Sequence, residues 1–216
     1  IITNNSEHYV KSAIDEKYHS SIEIFYMYGI DQQDYVDCRI SIFNKKTIYE
    51  YQPFLYLDLD VVVDLPINDF LNRLVCSEKC SAQIEEDRFL TKTTSCGSTL
   101  YSDESFPIND DSGFNGGIIG IPNFYKFGRY LRASAITMYE YMGLNGRQSI
   151  PYDDQSLLNF CFRKFDIFSG NLITPMVSIP SAEKVEFSKQ EAMGFAHFWP
   201  CIYREDRAER MKIYLN

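Results

Sequence analysis

The chain has 216 residues, of which 45% are apolar, 15% aromatic and 24% charged, and its formal net charge at pH 7 is −9. This composition is typical of a well-packed globular protein and excludes a disordered tail or a coiled coil, so we interpret residues 1–216 as a single domain. The negative charge repels phosphate backbones, and no segment concentrates enough Lys and Arg to offset it, so we expect no nucleic-acid partner.

No window reaches the roughly 18 consecutive apolar residues of a membrane span, and residues 1–10 lack the basic flank and apolar core of a signal peptide. We therefore expect no integral membrane segment. The cysteines are scattered, and Cys76 and Cys80 have neither a second pair nor nearby histidines, so structural zinc is not expected. Reduced thiols are the default for such a chain, which predicts a cytoplasmic protein.

The first part of the chain alternates strand-like and helical patterns. Residues 1–3 predict a short buried strand, which enters a helix ending near Tyr18 through a polar turn, as at many ligand sites. Residues 21–29 predict a second strand, and residues 44–52 predict a short helix. The next run, residues 54–57, is apolar at every position and predicts a central strand with layers on either side.

The middle of the chain continues this alternation. Apolar residues from Ile67 to Leu74 recur at helical spacing and predict a helix packed on the sheet, and residues 81–87 predict a strand that ends in acids. Residues 91–113 are polar with little periodicity, so we expect a long surface loop. Residues 114–122 predict a second buried strand.

A long helix follows Pro122, and its apolar stripe predicts a buried face. The stripe consists of Phe124, Phe127, Leu131, Ala135, Met138 and Met142. A further helix with Asp153 as its N-cap is predicted to end near Arg163, and a charged helix begins near Arg204. Alternating strands and helices indicate an α/β fold with a mixed, mostly parallel sheet and helices on both faces.

Two carboxylates, Asp58 and Asp60, follow the apolar run FLYL. A buried charge at this position is costly unless an opposite charge pairs with it. Residues i and i+2 of an extended segment project to the same side, and open α/β sheets bind ligands at the carboxyl ends of their strands. Carboxylate oxygens suit Mg²⁺ or Mn²⁺, which commonly share their coordination with substrate phosphates. We therefore predict a Mn²⁺ or Mg²⁺ site at this pair.

The same run permits a rival interpretation. Phosphatases of the haloacid dehalogenase kind also follow a buried strand with D-x-D-x-[T/V], a pattern that Asp58, Asp60 and Val62 satisfy. Asp58 would then be the nucleophile and Asp60 the acid. That chemistry requires a downstream lysine beside the site, and none can be placed there from the sequence. A non-catalytic nucleotide- or glycan-binding module is a further alternative.

Three later segments bear on this choice. The segment FNGG places the amide of Asn115 beside two glycines, where a sugar ring could approach the backbone closely. The segment DDQSLLN places Asp154 and Gln155 in the first turn of a helix, where they could bind hydroxyls. The segment AHFWP offers His197 between apolar neighbours.

The chain resembles the retaining GT-A glycosyltransferases related to glycogenin and the lipopolysaccharide galactosyltransferases. The resemblance lies in four motifs in this order: D-x-D after LYL, F-N-[S/A/G]-G, D-Q-x-x-[L/F]-N, and a late H-F with Trp-Pro nearby. The resemblance covers residues 54–200. It implies a GT-A fold, a UDP-sugar donor, Mn²⁺ and an acceptor that is a glycan, a lipid-linked glycan or a protein.

The resemblance also implies roles for individual residues. The metal ligands would be Asp58, Asp60 and His197. The residues that hold the transferred sugar, and so take part in catalysis, would be Asp154 and Gln155. The donor nucleotide and the donor–acceptor pocket would be lined by Asn5, Tyr9, Lys45 or Lys46, Asp58, Leu59, Asp60, Asn115 and Gly116. The lysine that neutralises the diphosphate in this family has no obvious equivalent in the segment HFWP.

Each of these residues also has an ordinary structural interpretation. His197 could be a buried histidine with satisfied hydrogen bonds, and Tyr9 could be a core ring. Asp154 could be a helix N-cap. The acids at positions 85–87 are expected as solvated charges at a strand end.

Overall fold

The computed structural model describes residues 1–3, 5–26, 42–101, 112–146, 153–180, 192–199 and 204–215. The strands among them are β1 (Ile2–Thr3), β2 (Phe25–Tyr26), β3 (Phe54–Leu57), β4 (Val61–Val63), β5 (Cys80–Phe89), β6 (Ser112–Ile121), β7 (Phe168–Ser169), β8 (Val177–Ser178) and β9 (Phe195–His197). The α-helices are α1 (Glu7–Ser12), α2 (Asn68–Val75), α3 (Phe124–Asn145), α4 (Asp153–Lys164) and α5 (Arg204–Leu215). Short 3-10 helices lie at Glu16–Ser21, Ile42–Asn44, Lys46–Glu50, Thr94–Cys96, Ser98–Leu100 and Thr174–Met176.

The largest described sheet has four strands in the order β3-β6-β5-β7. Strand β6 is antiparallel to both of its neighbours, whereas β7 is parallel to β5. Every residue of β6 after Ser112 is buried, but β3 is only half-buried. Among the described strands, β3 pairs only with β6, so β6 occupies the central position that the sequence analysis assigned to residues 54–57.

The strand directions confirm that the sheets are mixed, but they do not confirm a mostly parallel arrangement. Three of the described pairings are parallel and three are antiparallel, and the long ladders of β6 are antiparallel. The sheets are therefore mixed, and a mostly parallel sheet is not found among the described strands. An apolar run indicates burial on both faces, but it carries no information on the direction of the neighbouring strand.

A second sheet has the order β4-β9-β8, and its strand β4 follows β3 of the first sheet directly along the chain. Residues 58–60 connect β3 to β4, so they lie where the chain leaves one sheet and enters the other. Strand β4 is antiparallel to β9, with Val61 opposite His197. This topology brings a late segment of the chain beside the two acids.

The predicted helix stripes form the core. In α3, Phe124, Phe127, Leu131, Ala135 and Met138 are buried, and the side chain of Asn123 caps the helix by accepting a hydrogen bond from the backbone N–H of Lys126. In α2, Phe70 and Leu74 are buried, as its periodicity predicts. The strand predicted over 81–87 is confirmed and extends over Cys80–Phe89.

Several boundaries differ from those predicted. Helix α1 ends at Ser12, and a 3-10 helix over Glu16–Ser21 replaces the rest of the expected helix. The short helix predicted over 44–52 is found as a 3-10 helix over Lys46–Glu50. Of the strand predicted over 21–29, Phe25–Tyr26 is found and residues 27–29 lie outside the described part. Helix α4 is described from Asp153 onward, and residues 151–152 lie outside the described part, so Asp153 as its N-cap stays a prediction.

The segment predicted as a surface loop over 91–113 is packed in its first part. Ser95 and Cys96 are buried, and Gly97 has φ 88°, with the carbonyl oxygen of Ser156 only 2.6 Å from where a Cβ would lie. A residue with a side chain could not take this conformation without displacing α4. Residues 102–111 lie outside the described part.

The four described cysteines, Cys76, Cys80, Cys96 and Cys161, are free thiols. Burial raises the pKa of Cys80 above its usual range, and it raises the pKa of Cys96 and of Cys161 to about 11. These three are therefore inert core residues at neutral pH. In the described part of the chain, no helix combines the length and apolar character that crossing a membrane requires.

Candidate functional site

The turn between β3 and β4 is held by backbone hydrogen bonds on both sides. The backbone N–H of Asp58 donates to the carbonyl of Gly117 on β6 (2.8 Å), and the N–H of Phe198, just after β9, donates to the carbonyl of Asp60 (2.9 Å). The carbonyl of Asp58 accepts from the N–H of Val61 (3.2 Å). The turn is thereby fastened to the two strands that carry the other polar residues of the site.

The structure brings Asp58, Asp60 and His197 together. One ligand atom from each lies within 4.8 Å of the others, which is a spacing that one metal ion could bridge. His197 is 1% exposed, and both aspartates are half-buried. Leu59, between the acids, is 96% exposed, so its side chain points away from this cluster.

The two oxygens of Asp60 have different environments. Oδ2 accepts a hydrogen bond from Nη1 of Arg207 (2.6 Å). Oδ1 is buried without a hydrogen-bond partner, and it lies 3.4 Å from Nε2 of His197. Burial alone would raise the pKa of Asp60, but a proton on Nε2 of His197 and the guanidinium of Arg207 both favour the ionised carboxylate and hold its pKa below the ordinary value.

The ring of His197 is positioned from its other side. Its Nδ1 lies 3.5 Å from Oε1 of Gln83, a buried residue of β5. In the other tautomer the proton lies on Nδ1 and is donated to Gln83, and Nε2 then presents its lone pair toward Oδ1 of Asp60. Two facing acceptors are unfavourable unless a cation lies between them, and ligating histidines usually donate their second N–H in this way.

A glycine makes room for the imidazole. A Cβ at Gly117 would lie 2.5 Å from Cε1 and 2.7 Å from Nε2 of His197, and 3.0 Å from Oδ1 of Asn115.

The carboxylate of Asp58 is also held in place, because its Oδ1 accepts a hydrogen bond from the hydroxyl of Tyr56 (2.6 Å). The unpartnered oxygen, the oriented imidazole and the oxygen-rich donor set together fit a divalent cation.

The FNGG and DDQ segments meet beside this cluster. The N–H of Gly116 donates to Oε1 of Gln155 (3.1 Å), and Nε2 of Gln155 donates to the carbonyl of Ser95 (3.4 Å). The N–H of Gly117 donates to Oδ1 of Asn115 (2.7 Å). The same stretch of β6 therefore supports the cluster of Asp58, Asp60 and His197 on one side and the amide of Gln155 on the other.

The other predicted site residues lie in separate parts of the structure. Asp154 is buried, with 1% of its surface exposed. Asn5 and Lys45 are exposed, and Tyr9 is 62% exposed, which excludes a core position for its ring. That these residues contact a ligand remains a prediction.

Several residues that shape the site carry no mark in the sequence. Gln83 and Arg207 were not singled out, because Gln83 lies in a strand with many polar residues and its residue type does not stand out there. Glu85, which was expected as a solvated charge, is half-buried and its Oε1 accepts a hydrogen bond from Nδ2 of Asn115 (3.2 Å). No local pattern marks Arg207, since it lies on a charged helix 147 positions away from Asp60.

No protein-family model matches the sequence, and no curated protein matches it. Among solved structures, the chain is similar to the glycosyltransferase GlyE of Streptococcus pneumoniae TIGR4, with a TM-score of 0.55 and 15% sequence identity. The match covers 100% of this chain and 52% of the GlyE chain. The chain therefore spans about half the length of that structure, and at this identity the likeness concerns the fold alone. The α/β fold is compatible with that of a glycosyltransferase.

Proposed function

We propose that the chain is a metal-dependent glycosyltransferase that moves a hexose from a UDP-sugar to an acceptor hydroxyl with retention of configuration. The observation that carries the proposal is the cluster of Asp58, Asp60 and His197, whose ligand atoms lie within 4.8 Å of one another. The similarity of the fold to part of a glycosyltransferase supports the same reaction class.

In this proposal Asp58, Asp60 and His197 hold Mn²⁺ or Mg²⁺. The ion would offset the negative charge that develops on the departing diphosphate. The chain's own contribution is to keep the ligands preorganised: Tyr56 holds Asp58, and Gln83 orients His197. Preorganised ligands need little rearrangement when the charge develops.

The sugar-binding residues of the proposal are Asn115, Gly116, Asp154 and Gln155. Gln155 already contacts the backbone of Gly116 through its side-chain oxygen, so its amide lies beside the glycines where a sugar could approach. The exposed ring of Tyr9 and the amide of Asn5 would contact the uridine, and Lys45 or Lys46 would reach the donor. The acceptor would be a glycan, a lipid-linked glycan or a protein.

The test is a panel of UDP-sugars incubated with the purified protein, with Mn²⁺ present or removed by EDTA. We expect Mn²⁺-dependent release of UDP from one donor, and loss of that release in Asp58→Asn and Asp60→Asn. Asp69→Asn is the matched control, because Asp69 is an exposed acid in the first turn of α2. The anomeric configuration of the transferred sugar, measured by NMR, tests retention.

Three outcomes would contradict the proposal. Absence of both UDP binding and UDP release with Mn²⁺ would remove the glycosyltransferase assignment. Metal-dependent UDP binding without sugar release across the whole panel would favour a binding module. A beryllofluoride adduct on Asp58 would favour an aspartyl-phosphate phosphatase.

A further inference from the structure

The last described helix, α5, is attached to the edge of the metal cluster. Met211 and Tyr214 pack against a small core formed by Val62, Ala196 and Phe198, which lie on β4, on β9 and just after β9. The rings of Phe198 and Tyr214 meet edge to face, with their centroids 5.6 Å apart. The hydroxyl of Tyr214 also donates a hydrogen bond to Asp64, just after β4.

Arg207 lies on the same face of α5, one and two turns before these apolar residues. Its Nη1 donates to Oδ2 of Asp60 (2.6 Å), and its Nη2 donates to the backbone carbonyl of Trp199 (3.1 Å). The planar guanidinium therefore connects the carboxylate to the segment that follows His197. An arginine can make both bonds at once because its donors form a rigid fork.

We infer that Arg207 is a positioning residue of the metal centre: by holding Oδ2 of Asp60, it keeps Oδ1 directed toward the position of the cation. This inference rests on the proposed function, because it assumes that the cluster binds a metal. Oδ1 is the oxygen that is buried without a partner and that faces Nε2 of His197. Without Arg207, the carboxylate could rotate about its terminal torsion, which is broad, and lose this orientation.

The positive charge of Arg207 has an opposite effect on metal binding. A guanidinium near a cation repels it, so removing Arg207 could strengthen metal binding. However, the Arg207 side chain is 31% exposed, which lets water screen its charge, and it contacts the oxygen that faces away from His197. Loss of an outer partner of a metal ligand typically lowers metal affinity by about 10- to 100-fold. We expect orientation to dominate.

The test measures Mn²⁺ affinity by electron paramagnetic resonance, in which the signal of free aqueous Mn²⁺ disappears on binding, with no sugar donor present. We expect Arg207→Ala to bind Mn²⁺ about 10- to 100-fold more weakly than the wild type. Arg207→Lys should recover part of the loss, because a lysine keeps the charge but offers only a single point of contact. Circular dichroism and thermal unfolding without metal check that each variant is folded.

Lys212→Ala is the matched control for loss of a positive charge from α5. The Lys212 side chain is 72% exposed and pairs with Glu209, so its removal should leave Mn²⁺ affinity unchanged. An equal loss in both variants would indicate a general charge effect and overturn the inference.

The remaining outcomes separate the inference from the proposed function. Equal or tighter Mn²⁺ binding by folded Arg207→Ala would overturn the inference and leave the metal centre intact. Absence of Mn²⁺ binding by the wild type would contradict the metal centre, and the inference with it. If Arg207→Ala does not fold, Arg207→Lys carries the test, and an affinity equal to that of the wild type would overturn the inference.

Discussion

At the scale of single residues, the site depends on a few side chains in unusual environments. Oδ1 of Asp60 is buried without a hydrogen-bond partner, and an unpaired buried polar atom is unfavourable unless a ligand compensates for it. The imidazole of His197 faces that oxygen and lies against Gly117 of β6. The absence of a side chain at position 117 is thus a requirement for the position of the imidazole.

Replacement of Gly117 by alanine should therefore damage the metal site. The added Cβ would lie 2.5 Å from Cε1 of His197, so the ring or the strand must move. We expect a loss of about 1–3 kcal/mol in the free energy of unfolding, as for other overpacked positions, together with weaker Mn²⁺ binding. Urea unfolding and Mn²⁺ titration measure the two effects.

Gly143→Ala is the matched control for this substitution. Gly143 is an exposed residue within α3, and a Cβ there would meet nothing within 4 Å. We expect it to stabilise the protein by up to about 1 kcal/mol through helix propensity, with Mn²⁺ binding unchanged. If both alanine variants bind Mn²⁺ as the wild type does, the close contact between Gly117 and His197 does not matter for the site.

At the scale of secondary-structure elements, β6 and α4 form the unit that supports the site. Asn159 of α4 is fully buried, and its side chain bonds both backbone groups of Phe114: Nδ2 donates to the carbonyl (2.8 Å), and Oδ1 accepts from the N–H (2.8 Å). The same Nδ2 also donates to the carbonyl of Gln155 (2.9 Å). One amide therefore fixes the helix that carries Gln155 to the strand that carries Asn115.

Asn159→Ala should consequently destabilise the whole protein. It removes all three of these hydrogen bonds and leaves the backbone groups of Phe114 without their buried partner. With about 1 kcal/mol for each lost bond, and more for each unsatisfied group, we expect the free energy of unfolding to fall by about 3 kcal/mol or more. Urea unfolding followed by circular dichroism measures this change.

Asn145→Ala serves as the comparison, since Asn145 is exposed at the end of α3 and its Nδ2 donates to one carbonyl, that of Tyr141. Its effect should stay within about 0.5 kcal/mol, as for most surface substitutions. Similar effects of the two substitutions would show that Asn159 does not connect α4 to β6 in solution.

At the scale of the whole molecule, the proposed metal site joins parts that are distant in the chain. Asp58 and Asp60 lie between β3 and β4, whereas His197 ends β9. The unfolded chain does not keep these three side chains together, so a cation that binds the folded state should stabilise it. We therefore expect stabilisation by metal to require the complete fold.

Addition of Mn²⁺ should raise the melting temperature of the wild type. At a free concentration about 100 times the dissociation constant, the expected stabilisation is about 2.7 kcal/mol, which corresponds to about 5 to 10 °C for a chain of this size. EDTA should reverse the shift, Asp60→Asn should abolish it, and Asp69→Asn should retain it. A shift of equal size in Asp60→Asn would place the bound metal elsewhere. Differential scanning calorimetry measures each case.

The sequence by itself determined the buried faces of the main helices, the buried strand β6 and the position of the two acids. The apolar stripe of α3 and the continuous apolar run of β6 are local patterns. Such patterns can be recognised in the sequence before the fold is known. The spacing of Asp58 and Asp60 at a strand end likewise predicted that both could face one ion, and the structure places them together with His197.

Only the tertiary structure decided which strands are neighbours and which side chains complete the site. The contact between His197 and Gln83 spans 114 positions, and that between Arg207 and Asp60 spans 147. Periodicity reports which face of an element is buried, but a contact across such distances depends on how the sheets and α5 pack. For this reason the sequence predicted the acids and His197, whereas the partners that orient them emerged only from the fold.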